Sequence, residues 1–156
     1  MGEADLLFQL DGDADVMKYI TLGIPRTMDE VIEKSMPRIL KSYQGKKDFG
    51  IFAAYLINSE KYIGWFQFEK DKEFEGSIEI GWRLKKQYWG NGYATEVATS
   101  LCELGIKMGK TIVARAMIEN LASIRVMEKA GLKFEKKFWY PDSSSPDVLY
   151  KRSLIT

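Results

Sequence analysis

Histidine is absent from all 156 residues. Without imidazole there is no His-dependent triad, no imidazole metal ligand and no side chain that titrates near neutrality unaided. No metal is therefore expected. The sequence has one cysteine, Cys102, which permits no internal disulfide and lies mid-helix in the pattern of the chain. With nothing beside it to ionise it, it reads as an inert structural thiol, and a reducing cytoplasm is the expected compartment. The opening Met1-Gly2-Glu3-Ala4-Asp5 lacks the basic and apolar regions of a signal peptide, and no apolar run approaches membrane-spanning length. Excess charge is lacking too. Lysine and arginine total 23 against 22 aspartates and glutamates, for a net charge of +1, which gives no bulk attraction to nucleic acid or to an anionic membrane. The lysine pairs Lys46-Lys47, Lys85-Lys86 and Lys136-Lys137 are scattered and read as solvated faces.

What remains is a chain of single-domain size, with no internal repeat, low-complexity tract or linker, so residues 1–156 are expected to form one domain. Periodicity predicts helices at 4–10, 28–43, 91–108 and 121–130. Strands are predicted at 49–57, 61–69, 77–85, 111–117, 133–140 and 148–154, with loops at Pro25 and over Pro141–Pro146. Helices alternating with a mainly antiparallel sheet make an α/β (α+β) fold.

The most informative stretch is Gln87-Tyr88-Trp89-Gly90-Asn91-Gly92-Tyr93-Ala94. Before it, Ile78, Ile80, Trp82 and Leu84 alternate with Ser77, Glu79, Gly81 and Arg83 as in a strand; after it, Ala94, Val97, Ala98, Leu101, Leu104 and Gly105 recur at helical spacing. Strand, glycine turn and helix start together present free backbone N–H groups to a phosphate. The plain alternative is a turn that merely joins strand to helix. Three familiar phosphate or metal loops fail on spacing. A dinucleotide fingerprint needs a small residue where Thr95 stands. Gly105-Ile106-Lys107-Met108-Gly109-Lys110-Thr111 has three residues between its glycines instead of four, and it follows a helix. Asp11-Gly12-Asp13-Ala14-Asp15 has Val16 and Leu22 where a calcium loop needs glycine and glutamate.

The pattern that fits is Gln87-x-x-Gly90-x-Gly92. It resembles the acetyl-coenzyme A pyrophosphate loop of the GNAT N-acetyltransferase superfamily. The block from Asn120-Leu121-Ala122-Ser123 to Glu128-Lys129-Ala130-Gly131 is similar to the helix of the branch that contains the ribosomal-protein N-terminal acetyltransferases (RimJ/RimL-like). Ser77-Ile78-Glu79-Ile80-Gly81-Trp82 is similar to that branch's preceding strand, and Asp15–Ile20 to its first-helix region. The resemblance covers about Leu6 to Tyr150. It implies acetyl-CoA as cosubstrate, held by the backbone of Trp82, Arg83 and Leu84, by Gln87, Tyr88, Trp89, Gly90, Asn91, Gly92, Tyr93 and Ala94, and by Asn120 and Ser123. Lys85 or Lys86 would reach a coenzyme phosphate. The pantetheine arm would enter where the strand before the loop and strand 111–117 splay apart. Members of this branch usually begin with a strand before the first helix, and this sequence starts after that strand should have ended, so that either the start is truncated or the sheet lacks an edge. An uncovered edge is expected to pair with another copy as a homodimer.

N-acetylation requires a neutral amine and a proton for the leaving thiolate, and without histidine a carboxylate or water must serve. The resemblance implies Glu79 as base. The structural reading is a strand glutamate paired with Arg83 or a cross-strand lysine. Asn120 also caps a helix by itself. Ser123 is implied as partner of the thiolate, its other reading being a plain helix-surface serine. Many members carry a general-acid tyrosine seven residues after the asparagine, but Met127 stands there and has no proton to give. Trp65, Phe66, Phe68, Trp139 and Tyr140 are candidates to line the acceptor cleft or to pack in the core. The expected function is direct acetyl transfer to a primary amine, a protein N-terminal α-amine ahead of a small molecule. The rival readings are detoxification of an antibiotic or polyamine, and a non-catalytic acyl-CoA sensor.

Overall fold

The computed structural model describes residues 2–44 and 47–154; Lys46 lies outside them. The chain forms two compact units. One comprises Met1–Gln67 with Trp82–Asn91, the other Phe68–Gly81 with Gly92–Thr156. Six strands form one sheet in the order β1-β2-β3-β4-β6-β5, with β1 at one edge and β5 at the other. Among the described residues no helix is long and apolar enough to cross a membrane.

In the first unit the first element is a helix, α1 (Glu3–Asp11), with no strand before it among the described residues. It buries Leu7, Leu10 and Asp11, an i, i+3, i+4 stripe. The predicted helix at 28–43 is α2 (Met28–Glu30), a π-helical turn (Val31–Ser35) and α3 (Met36–Tyr43). A reciprocal cap starts it: the Glu30 amide donates to Thr27 Oγ1 at 3.2 Å and the Thr27 amide to Glu30 Oε2 at 3.1 Å. Pro37 then removes the N–H that would bond four residues back. The ladder widens so that the Met36 amide reaches Val31 O, and the extra residue turns Ser35 into the interior. Strands β1 (Gly50–Tyr55) and β2 (Tyr62–Lys70) follow, then the last residues of β3 (Ser77–Leu84). Gly64 has φ +147°, and a Cβ placed on it would lie 2.1 Å from the carbonyl oxygen of Arg83. Only glycine allows β2 to approach the end of β3 this closely.

In the second unit α4 (Tyr93–Lys107), β4 (Thr111–Met117), α5 (Leu121–Lys129), β5 (Lys133–Phe138) and β6 (Asp147–Arg152) follow within two residues or so of their predicted bounds. β3 and β4 are parallel, from Ser77↔Thr111 to Glu79↔Val113. β6 is antiparallel to β4 from Ile112↔Arg152 to Met117↔Asp147, and β5 is antiparallel to β6. α4 buries Ala98, Cys102 and Gly105, spaced four and three apart. Gly109 and Gly131 adopt φ +72° and +86°. They stop α4 and α5 as the sequence suggests, the Leu132 amide closing back on Met127 O at 3.0 Å.

Replacing Gly64 by alanine would force its Cβ onto the backbone of β3. Urea denaturation should show a loss of roughly 1–3 kcal/mol or more, the range for overpacked interiors.

Candidate active site

The end of β3 is held by charge. Asp11, 1% exposed, accepts from Arg83 Nη1, from Arg26 Nη1 at 3.3 Å and from the Ser35 hydroxyl. Arg26 Nη1 also donates to Ser35 Oγ at 2.7 Å. The Arg83 guanidinium lies over the Trp65 ring, 5.0 Å from its centroid. Arg83 is thus spent on structure through its side chain, and only its backbone is free to act as the sequence suggests. The sequence reading missed Asp11, although it completes the apolar stripe of α1.

The chain then makes a 3-10 turn (Lys86–Tyr88). The Trp89 indole donates to Leu84 O at 2.9 Å, and the Asn91 amide donates to the carbonyls of Tyr88 and Trp89 at 3.1 Å each. Gln87, Trp89, Gly90 and Asn91 are exposed, with Tyr88 half-buried. Lys85 Nζ reaches Gln9 Oε1 at 2.7 Å and Lys86 Nζ reaches Asp15 Oδ2 at 2.6 Å. Both lysines expected near a phosphate therefore anchor the loop to the N-terminal segment. Gly90 has φ +75°, and a Cβ on it would meet nothing within 4 Å.

Gly92, φ +81°, is the N-cap of α4 and offers no side-chain cap. The first helical bond is Glu96 N to Gly92 O at 2.9 Å, so the amides of Tyr93, Ala94 and Thr95 have no intrahelical acceptor. A Cβ at Gly92 would also meet open space. At both glycines, then, the backbone is bare, left-handed and unobstructed, as an anion cradle needs.

The second unit carries the ionisable side chains. The β3–β4 ladder runs only to Glu79↔Val113, whereas β4 continues to Met117. Glu79 and Arg115, which is two residues on from Val113, the partner of Glu79, share one face of the sheet. Arg115 stands on this face and gathers three carboxylates: Asp71 at 2.6 Å, Glu79 at 2.9 Å and Glu73 at 3.3 Å. Glu79 thus pairs with Arg115, an arginine of the next strand that the sequence did not point to. Burial pushes the Asp71 carboxyl up, but Arg115 and the amides of Phe74 and Glu73 outweigh it and hold the carboxyl below its usual range. Asn120 Oδ1 accepts from the Ser123 amide at 3.2 Å and so caps α5. Met127 is buried at 1% exposure. Burial pushes the Cys102 thiol up to about 11, which leaves it protonated and unreactive at neutral pH.

The aromatic candidates divide. Phe66 and Phe68 are core residues, 5% and 1% exposed, because they fall on the inward positions of a strand buried on both faces. Trp65 is half-buried and lines a cavity of about 180 Å³ with Leu6, Tyr43 and Tyr62. Trp139 and Tyr140 are exposed after β5. Burial raises the Tyr140 hydroxyl above the usual phenol range against the charge of Arg115, with Glu73, Asp147 and Glu79 adding to the rise.

A family model described as an acetyltransferase (GNAT) domain matches residues 2–133. An N-acetyltransferase of Bacillus subtilis strain 168, YnaD, is 32% identical over 134 residues, spanning 85% of this chain and 74% of that protein. The solved structure of a GNAT-family acetyltransferase from Bacillus anthracis superposes with a TM-score of 0.76 at 29% identity, covering 97% of this chain and 89% of that one. The RimL ribosomal L7/L12 α-N-protein acetyltransferase gives 0.75 at 16% identity, covering 97% and 87%, a likeness of fold alone. The chain belongs to the GNAT acetyltransferase family and is an N-acetyltransferase.

Replacing Asp11 by alanine would strand Arg83 in the interior without its counter-charge. Chemical denaturation should show a loss of about 3–5 kcal/mol, as for other broken buried ion pairs.

Proposed function

We propose that the chain transfers the acetyl group of acetyl-CoA directly to a primary amine in a ternary complex, the whole chain acting as one acetyltransferase domain. The observation that carries this is the uncapped N-terminus of α4 at left-handed Gly92, preceded by the equally bare Gly90. Each backbone N–H to a charged oxygen contributes roughly 1.5–3 kcal/mol. The helix dipole adds about 0.3–1 kcal/mol, so a pyrophosphate can be held without lysine. Residues 87–94 would hold the pyrophosphate. The backbone of Trp82, Arg83 and Leu84 would hold the arm, and Asn120 and Ser123 would stand at the start of α5. Acetyl-CoA supplies an activated acyl group.

Direct transfer is favoured because no nucleophile is activated: Cys102 is buried and protonated, and the sequence contains no histidine. Glu79 remains in the proposal as a carboxylate facing the acceptor, with its orientation fixed by Arg115. Ser123, its amide tied to Asn120, is the group proposed to return a proton to sulfur in place of the tyrosine that Met127 excludes. A protein N-terminal α-amine is the leading acceptor, as in the branch with the Asn120-x-x-Ser123 pattern. Its pKa of about 7.7–8, against about 10.4 for lysine, demands less help in deprotonation.

Two measurements test this. Gly92→Glu fills and charges the cradle, so calorimetry should show acetyl-CoA affinity at least about 100-fold weaker, the loss of two such hydrogen bonds; unchanged affinity would remove the phosphate role. Thiol release from acetyl-CoA should appear with at least one of a panel of free-N-terminus peptides, spermidine and an aminoglycoside. Binding without any release would leave a sensor.

A further inference from the structure

Of the carboxylates on the open face of β3 and β4, three are held by Arg115 and one is not. Directly paired residues of adjacent strands point to the same side of a sheet. The registers Glu79↔Val113 and Met117↔Asp147 therefore put Glu79, Arg115, Met117 and Asp147 on one face. Asp147 opens β6 opposite the final residue of β4, on the stretch of β4 that has left β3, and lies diagonally across from Arg115. Arg115 is already taken by Asp71, Glu73 and Glu79. Among the described residues no N–H or O–H donates to the Asp147 carboxylate.

We infer that Asp147 is the catalytic residue that takes the proton from the acceptor ammonium, an assignment that rests on the acetyl-transfer reading above. A carboxylate fixed by an arginine has its lone pairs engaged and its negative charge compensated, whereas a half-buried carboxylate without a donor binds a proton more readily. The surroundings of Asp147 agree. Burial and then the charge of Glu119 raise its carboxyl above the usual range, against the pull of Arg115. The other charged or titratable groups around it are Glu79 and Glu73 near Arg115, the Tyr140 hydroxyl, and Lys136 of β5, whose ammonium lies over the Phe74 and Phe138 rings. Glu119 itself accepts from the Ser145 hydroxyl. The charge balance on this face is negative, which draws in an ammonium.

The proton passes from the ammonium to Asp147. The freed lone pair forms the C–N bond at the thioester carbon, the C–S bond breaks, the Ser123 hydroxyl gives its proton to the sulfur, and the nitrogen's second proton replaces it on Ser123. Asp147 then releases its proton to solvent. Acetyl-CoA and an ammonium thus become an amide, a thiol and one proton.

The test uses the fastest amine of the panel. In the wild type, kcat/KM should rise with pH through the raised carboxyl pKa. Asp147→Asn should lower kcat/KM about 10²–10⁴-fold, the usual span of a general base, and remove that acidic limb. Acetyl-CoA affinity should stay within about twofold, and Asp147→Glu should recover part of the rate. A rate within about threefold of wild type with the limb intact overturns the assignment. Failure of the wild type to acetylate any amine overturns the acetyl-transfer reading, and the role of Asp147 with it. Should the asparagine variant not bind acetyl-CoA, carboxyl NMR of the wild type decides: titration of Asp147 above an ordinary aspartate supports the role, and titration at or below it overturns the role.

Discussion

The early end of the β3–β4 ladder is the constraint on which the rest of the molecule depends. Three residue pairs join the strands, Ser77↔Thr111 to Glu79↔Val113, and then β4 continues beside β6 alone. A backbone that leaves its partner must satisfy its polar groups elsewhere or offer them to a ligand. That opening lies where the strands finish, and Glu79, Arg115 and Asp147 are arrayed on its face.

Two arginines stabilise the region in opposite ways. Arg83 is turned inward onto Asp11, with Ser35 and Arg26 completing a buried cluster. Desolvating such a pair is expensive, so its value is in fixing one geometry for the end of β3 more than in adding stability. Gly64 works to the same end by letting β2 meet Arg83 without a side chain in the way. Arg115 is partly exposed and collects three carboxylates that would otherwise repel one another. It neutralises some of the negative face and leaves the remainder directed at whatever cation enters.

Much of this was legible in the residues. The period-2 run of β3, the spacing of α4 and the glycines at 90, 92, 109 and 131 are local signals, and they placed strand, turn, helix and stops within about two residues. The absence of histidine and the position of Met127 limit the groups that could move a proton, and both are read from residue identity alone. Elsewhere a partner distant in sequence decided where a side chain sits. Glu79 was expected beside Arg83 or a lysine, yet Arg115, 36 residues on, holds it. Lys85 and Lys86 stand next to the loop in sequence, but their ammonium groups reach back more than seventy residues to Gln9 and Asp15. Phe66 and Phe68 could be read as core or as cleft, and their burial in β2 makes them core.

The sequence by itself determined the elements, the bare glycine turn ahead of α4 and the narrow set of groups able to move a proton, because propensity, periodicity and side-chain chemistry act over a few residues. Only the tertiary structure decided which charges meet. Asp11 with Arg83, Arg115 with its three carboxylates and Asp147, to which no N–H or O–H among the described residues donates, all follow from strand register and helix placement, which bring together side chains tens of residues apart. Coulomb forces and burial depend on those distances, and no local pattern encodes them.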